Sequence, residues 1–122
     1  MSAVSNTVLI VDDDPDFRGL ARRIVAGLGC DVVGEAGTFA AAVAAAAELH
    51  PEAVLVDVEL PDGNGVVLTG QLVALPWRPR VVLTSSDPQA VTAATAENVG
   101  AVGFLPKSEL TDGSLHRMLT GG

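Results

Sequence analysis

A handful of side chains in this sequence can do chemistry together. Asp12 and Asp13 follow an apolar run, Asp57 ends another with Glu59 just beyond, and Thr84 and Ser85 end a third. Lys107 follows a fourth. Carboxylates crowded together repel, so they need a cation. An oxygen-only donor set favours Mg²⁺, Ca²⁺ or Mn²⁺ over zinc. Mg²⁺ fits best, because it keeps waters and takes a few carboxylates plus a phosphate oxygen. A hydroxyl and an ammonium opposite the cation can hold the remaining oxygens of a phosphoryl group, whose transfer is mostly positioning and charge neutralisation. A carboxylate can itself accept that group as an aspartyl phosphate. Asp57, single and central, is the natural acceptor. Taken alone, Asp57 can equally be a loop cap, Asp12 to Asp14 a solvated helix start, Thr84 a strand-end hydroxyl and Lys107 an ordinary surface lysine.

These residues work together only if the chain brings them to one place. Residues 7–11 form a short β-rich run, and Asp14 with Pro15 then signals a helix start. Phe17, Leu20, Ala21, Ile24, Val25 and Leu28 recur at helical spacing, and Gly29 supplies the stop. A second, more polar strand covers 31–36. Thr38 caps a second helix with Phe39, Val43, Ala46 and Leu49 along one stripe, and Pro51 ends it. Residues 53–56 read as a buried central strand. Asn64 or Gly65 opens a third helix carrying Val67, Leu68, Leu72 and Leu75, and Trp77 between Pro76 and Pro79 reads as a packing anchor. The fourth strand starts at Arg80 and runs to Thr84. Asp87 and Pro88 repeat the cap-then-proline signal for a helix to about Asn98. The fifth strand covers 101–105, with Pro106 allowed at a sheet edge. The stretch from Ser108 to Thr111 or Asp112 opens a last short helix with Leu115, Met118 and Leu119 inward.

Strands alternating with helices imply a parallel sheet covered on both faces, with right-handed crossovers. The strands beginning at Thr7, Ala53 and Arg80 are the most apolar and hence central, which predicts a flavodoxin-like (βα)5 doubly wound sheet of order 2-1-3-4-5. All five carboxyl ends then share one edge, where such sheets bind ligands. There the first strand delivers Asp12 and Asp13, the third Asp57 and Glu59, the fourth Thr84 and Ser85, and the fifth Lys107.

Bulk properties narrow the function classes. A chain of 122 residues, 48% of them apolar, suits one folded domain over 1–122 rather than a disordered chain. A net charge of −8 argues against nucleic acid as a direct partner. No apolar run spans a membrane, no secretion signal opens the chain, and the single cysteine, Cys30, fits a reducing cytoplasm. His50 and His116 read as surface residues.

The motifs VDDD, VDVELPDGNG, LTSS and GFLPK, in this order and spacing, resemble the receiver domains of two-component response regulators over nearly the whole chain. The resemblance implies a chemotaxis-regulator-like, stand-alone domain, phosphorylated on Asp57 by a histidine kinase or a phosphotransfer protein. It implies Mg²⁺ bound by Asp12, Asp13, Asp57 and the backbone carbonyl of Glu59. It further implies that Lys107 pairs with the phosphate, that Thr84 is the switch hydroxyl (Ser85 being the other candidate), and that Phe104 is the aromatic switch. Pro61 and Gly65 match the family's loop. The output face would run from Asp87 to Leu119 and bind another protein or a second copy. No enzymatic turnover is expected beyond self-phosphorylation from small donors and self-dephosphorylation. Competing functions are a phosphorylation-independent interaction module, disfavoured by the intact acidic set, and a Mg²⁺-dependent phosphohydrolase, for which the chain leaves no room for a substrate cap. The family often has proline after the lysine, joined by a cis peptide. Here Ser108 follows, and a trans bond is expected because a non-proline cis bond costs about 2.5–4 kcal/mol.

Overall fold

The computed structural model describes residues 6–121. Five strands, β1 (Thr7–Val11), β2 (Asp31–Ala36), β3 (Ala53–Asp57), β4 (Arg80–Ser85) and β5 (Gly103–Pro106), form one parallel sheet. Their order is β2-β1-β3-β4-β5, as the sequence predicts. Both faces of the sheet are covered, which is why the central strands read as unbroken apolar runs. Alternate residues feed two cores. Leu9, Val11, Val54, Val56, Val81 and Leu83 belong to one, while Val8, Ile10, Ala53, Leu55, Val82 and Leu105 belong to the other. Pro106 closes β5, an edge strand, where a missing N–H leaves no gap in the ladder.

The helices are α1 (Pro15–Gly27), α2 (Phe39–Leu49), α3 (Gly65–Val73), α4 (Ala93–Asn98) and α5 (Ser114–Thr120). Asp14 caps α1 by accepting from the Asp16 N–H, Thr38 caps α2 through Ala41, and Asn64 caps α3 through Val66. The first two N–H groups of α2 also donate to the Asp62 carboxylate, at 2.6 Å from Phe39 and 3.1 Å from Ala40. Asp62 lies between two-residue strands, Glu59–Leu60 and Gly63–Asn64, that pair as a small antiparallel ribbon. The ribbon is thereby tied to the start of α2.

Several helical details differ from the sequence expectation. Asp87 and Pro88 open a turn and not a helix: the Asp87 carboxylate accepts the Gln89 N–H as a cap would, but its carbonyl accepts from Ala90 at i+3, where the Asp14 carbonyl accepts from Arg18 at i+4. Thr92 is the actual cap, accepting from Thr95, so α4 begins only at Ala93. The last helix starts later as well. Residues Lys107–Glu109 form a single 3₁₀ turn, and α5 waits until after Gly113, whose φ of 99° breaks the chain direction. The inward face of α2 is Ala42 and Ala46, whereas Val43 and Leu49 are exposed. Small side chains there bring the helix close against the sheet. Leu20 and Val67 also face outward, since each sits beside its helix's buried stripe and not within it.

At the opposite edge from the strand carboxyl ends, His50 terminates α2 in the left-handed region (φ 46°) and stacks on Trp77, with centroids 3.9 Å apart and planes 14° from parallel. The indole N–H donates to the Pro51 carbonyl at 2.9 Å. Cys30 is buried, and burial pushes its thiol pKa up. Among the described residues no peptide bond is cis, the Lys107–Ser108 bond included, and no helix is long and apolar enough to cross a membrane.

Candidate functional site

The end of β1 fixes Asp12 from every side. Its N–H donates to the Ala36 carbonyl of β2 at 2.9 Å, and its carbonyl accepts from Arg18 Nη1 at 2.7 Å. Its Oδ1 accepts the Asp14 N–H at 2.9 Å. The side chain is fully buried, while the neighbouring Asp13 is exposed. From the end of β3, Asp57 joins them, and one carboxylate oxygen from each of Asp12, Asp13 and Asp57 lies within 4.8 Å of the other two.

Asp57 sits directly across from Thr84 in the β3–β4 register. Its Oδ1 accepts the Glu59 N–H at 3.2 Å. Just beyond, the chain turns so tightly that a Cβ on Gly65 would overlap the Asp57 carbonyl oxygen, so only glycine fits. Lys107, delivered by the end of β5, places Nζ 2.7 Å from Asp12 Oδ2, 3.5 Å from Asp57 Oδ2 and 4.1 Å above the centre of the Phe17 ring. The approach to Asp12 is close but off the hydrogen-bonding direction, so Oδ2 gains an ion pair without a hydrogen bond.

Thr84 and Ser85 are both buried but differ in their partners. Ser85 Oγ accepts the Asp87 N–H at 3.0 Å and makes a long 3.4 Å contact to Glu59 Oε1. Thr84 Oγ1 has no hydrogen-bond partner among the described residues. Phe104 lies opposite Leu83, half-buried against the core that contains Leu83.

Electrostatics follow from this packing. Burial pushes the Asp57 pKa up to about 6, and the Asp12 charge adds to the rise, against the opposing pull of the Glu59 N–H and Lys107. Burial disfavours the Lys107 ammonium, but Asp12 and then Asp57 outweigh it and raise its pKa. The pocket is an oxygen-only acidic cluster with one ammonium and one unengaged hydroxyl. Its donor set suits a hard divalent cation. The buried Asp12 Oδ2, lacking a hydrogen bond, is a ready ligand atom.

The sequence expectation thus brings together Asp12, Asp13, Asp57, Thr84 and Lys107, with Glu59 at the rim. It did not single out Arg18, Glu35 or Asp62, which hold the surrounding loops. Their only sequence signal is indirect: Arg18 and Arg22 are four apart on one helix, and Asp62 lies in the loop after Asp57.

Residues 8–120 match the family described as the response regulator receiver domain. The chain belongs to this family. The receiver is 30% identical over 100 residues to the chemotaxis protein CheY of Thermotoga maritima, covering 82% of this chain and 83% of that protein. It is 39% identical over 104 residues to the DNA-binding transcriptional activator DevR/DosR of Mycobacterium tuberculosis, covering 82% of this chain and 46% of that one. Among solved structures it resembles the beryllofluoride-activated receiver domain of Klebsiella pneumoniae RstA, at 26% identity and a TM-score of 0.80 over 93% of this chain and 95% of that one. The receiver spans only part of the first curated relatives it matches, from 27% to 53% of their length.

Proposed function

We propose that residues 1–122 make up one receiver domain that acts as the phosphoacceptor of a two-component phosphorelay. An Asp57 carboxylate oxygen attacks the phosphorus of a phosphohistidine on a histidine kinase or phosphotransfer protein. The phosphorus–nitrogen bond breaks, and the histidine nitrogen leaves with its electron pair. The observation that carries this reading is a pair of buried atoms that have no hydrogen-bond partner among the described residues, Asp12 Oδ2 and Thr84 Oγ1. They lie just past the end of β1 and in β4, the two neighbours of the strand that bears Asp57. A buried hydroxyl left unsatisfied, as Thr84 Oγ1 is among the described residues, costs about 1–3 kcal/mol, whereas Asp12 Oδ2 keeps its ion pair with Lys107. A phosphoryl oxygen would accept from Thr84, and a cation would engage Asp12. The Asp12, Asp13 and Asp57 carboxylates and the Glu59 carbonyl would hold Mg²⁺, which when bound neutralises charge on the transferring group. Lys107, already close to Asp57, would pair with the phosphate.

Thr84 closing on the phosphoryl group, followed by Phe104, would alter the face from Asp87 to Leu119. That face would bind an output protein or a second copy, in the cytoplasm. The domain's own chemistry would be limited to self-phosphorylation from small donors and self-dephosphorylation.

Acetyl phosphate with Mg²⁺ provides the test. Intact mass is expected to rise by one phosphoryl group, and Asp57→Ala to abolish the gain. Labelling that persists in Asp57→Ala refutes the assignment. Backbone amide shifts on adding beryllofluoride and Mg²⁺ test the switch: they are expected to reach Phe104 and α4, and shifts confined to the pocket contradict it.

A further inference from the structure

Arg18 stands outside the acidic pocket yet holds its floor. Its guanidinium works in two directions. Nη1 donates to the Asp12 carbonyl at 2.7 Å, and Nε donates to Glu35 Oε1 on β2 at 3.0 Å. Glu35 is itself held on its other oxygen by Arg22 Nε at 2.7 Å, one helical turn further along α1. Both arginines help hold the Glu35 pKa below its ordinary range, Arg22 most strongly. Space for this fork comes from Gly37, directly after β2: a Cβ there would lie 3.2 Å from Arg18 Nη1 and 3.8 Å from the Asp12 carbonyl oxygen. The side chain of Arg18 is only 22% exposed.

The Asp12 carbonyl lies past the end of the ladder, where no strand partner supplies an N–H. Arg18 satisfies it with a charge-assisted bond, the stronger kind. The Asp12 peptide is therefore gripped at both ends, its N–H by Ala36 and its carbonyl by Arg18. A planar fork that reaches two oxygens from one side chain suits arginine and not lysine.

Resting on the phosphoacceptor reading above, we propose that Arg18, oriented by Glu35, is a positioning residue that sets the Asp12 carboxylate for cation binding. It touches neither the cation nor the phosphoryl group. It fixes the main chain from which the Asp12 ligand projects, as outer-shell partners do in metal sites generally.

Sign separates this role from a plain charge effect. By charge alone, deleting a cation beside an acidic pocket tightens Mg²⁺ binding. Losing a positioning contact weakens it, typically by about tenfold or more. Mg²⁺ titration by calorimetry of the full chain, with urea midpoints recorded for each variant, reads the difference. Arg18→Ala is expected to weaken Mg²⁺ binding about tenfold. Glu35→Ala weakens it in the same direction, and the double variant binds no more weakly than Arg18→Ala alone. If Arg18→Ala does not fold, Arg18→Lys, which keeps the charge and loses the fork, carries the test: a plain charge effect leaves Mg²⁺ binding unchanged, whereas loss of positioning weakens it. Arg23→Ala, on the same helix but outside this network, serves as the charge control and retains wild-type affinity. Wild-type or tighter Mg²⁺ binding by folded Arg18→Ala, or wild-type binding by Arg18→Lys in its place, overturns the positioning role alone. Absence of Mg²⁺ binding by the wild type removes the cation site and this role together, whereas acetyl phosphate labelling of Asp57 tests the phosphoacceptor reading separately.

Discussion

Replacing Asp57 with asparagine is expected to stabilise the metal-free protein, by an amount that depends on pH. Asparagine keeps the shape of the side chain and an oxygen for the Glu59 N–H, while removing a charge packed beside Asp12. In the folded chain the Asp57 pKa is pushed up to about 6, chiefly by burial. An unfolded aspartate titrates near ~3.9. Between these values the unfolded chain has released a proton that the folded chain retains. A group shifted upward in this way contributes stability below the unfolded pKa and loses it as pH rises through the folded one. Over a window of about two pH units, at ~1.4 kcal/mol per unit, the wild type loses about 3 kcal/mol relative to the variant. The advantage of Asp57→Asn should therefore be small near pH 4 and level off above about pH 7. Urea unfolding followed by circular dichroism in EDTA, on both proteins across that range, measures the difference directly. Titrations shared by the two proteins cancel in it. Saturating Mg²⁺ should return stability to the wild type, about 2.7 kcal/mol at a hundredfold excess over Kd, and much less to the variant. A difference that stays flat from pH 4 to 8, or a variant less stable than wild type above pH 7, refutes the reasoning.

Gly65→Ala is expected to cost at least about 1–3 kcal/mol in urea unfolding, because the new methyl would overlap the Asp57 carbonyl oxygen and crowd Val58 Cα at 2.9 Å. A wild-type midpoint would show that the turn relaxes freely. Asp62→Ala is expected to speed hydrogen exchange at the Phe39 and Ala40 amides, which lose their acceptor. The Phe39 and then the Ala40 N–H lower the Asp62 pKa, so in the wild type this protection persists above the unfolded value and fades as pH falls through the folded one. Unchanged exchange in Asp62→Ala counts against the tie between ribbon and helix. Duplex DNA is expected to show no micromolar, salt-sensitive binding in a mobility assay, given a net charge of −8, and such binding would contradict the charge argument.

The parts of the fold most legible in the sequence were those set by runs of one character. Residues 53–56 are apolar without a break because both faces of β3 are covered, and Asp57 stands out for ending such a run. Strand order followed from comparing the apolar strands with the polar β2. Helix boundaries were less legible where two local signals compete. Asp87 has the side chain of a cap and bonds Gln89 as one, yet its carbonyl closes a turn to Ala90 at i+3, and Thr92 caps the helix instead. The different settings of Thr84 and Ser85 were not legible without the register, which puts Thr84 opposite Asp57, while Ser85 bonds the Asp87 N–H. Arg18, Glu35 and Asp62 were beyond reach because their contacts join segments 6 to 23 residues apart through side-chain reach, which periodicity does not encode.

The stacked Trp77 has a spectroscopic consequence. It is the only tryptophan in the chain and there is no tyrosine, so intrinsic fluorescence arises almost wholly from one indole. That indole is pinned to the Pro51 carbonyl and to the His50 ring, at the end of the sheet remote from the acidic pocket. Emission therefore gauges whether the sheet and the α2 terminus are assembled, and is insensitive to what occupies the carboxylates. Unfolding can be followed optically at any Mg²⁺ concentration without interference from binding, whereas cation titrations need a calorimetric or magnetic readout.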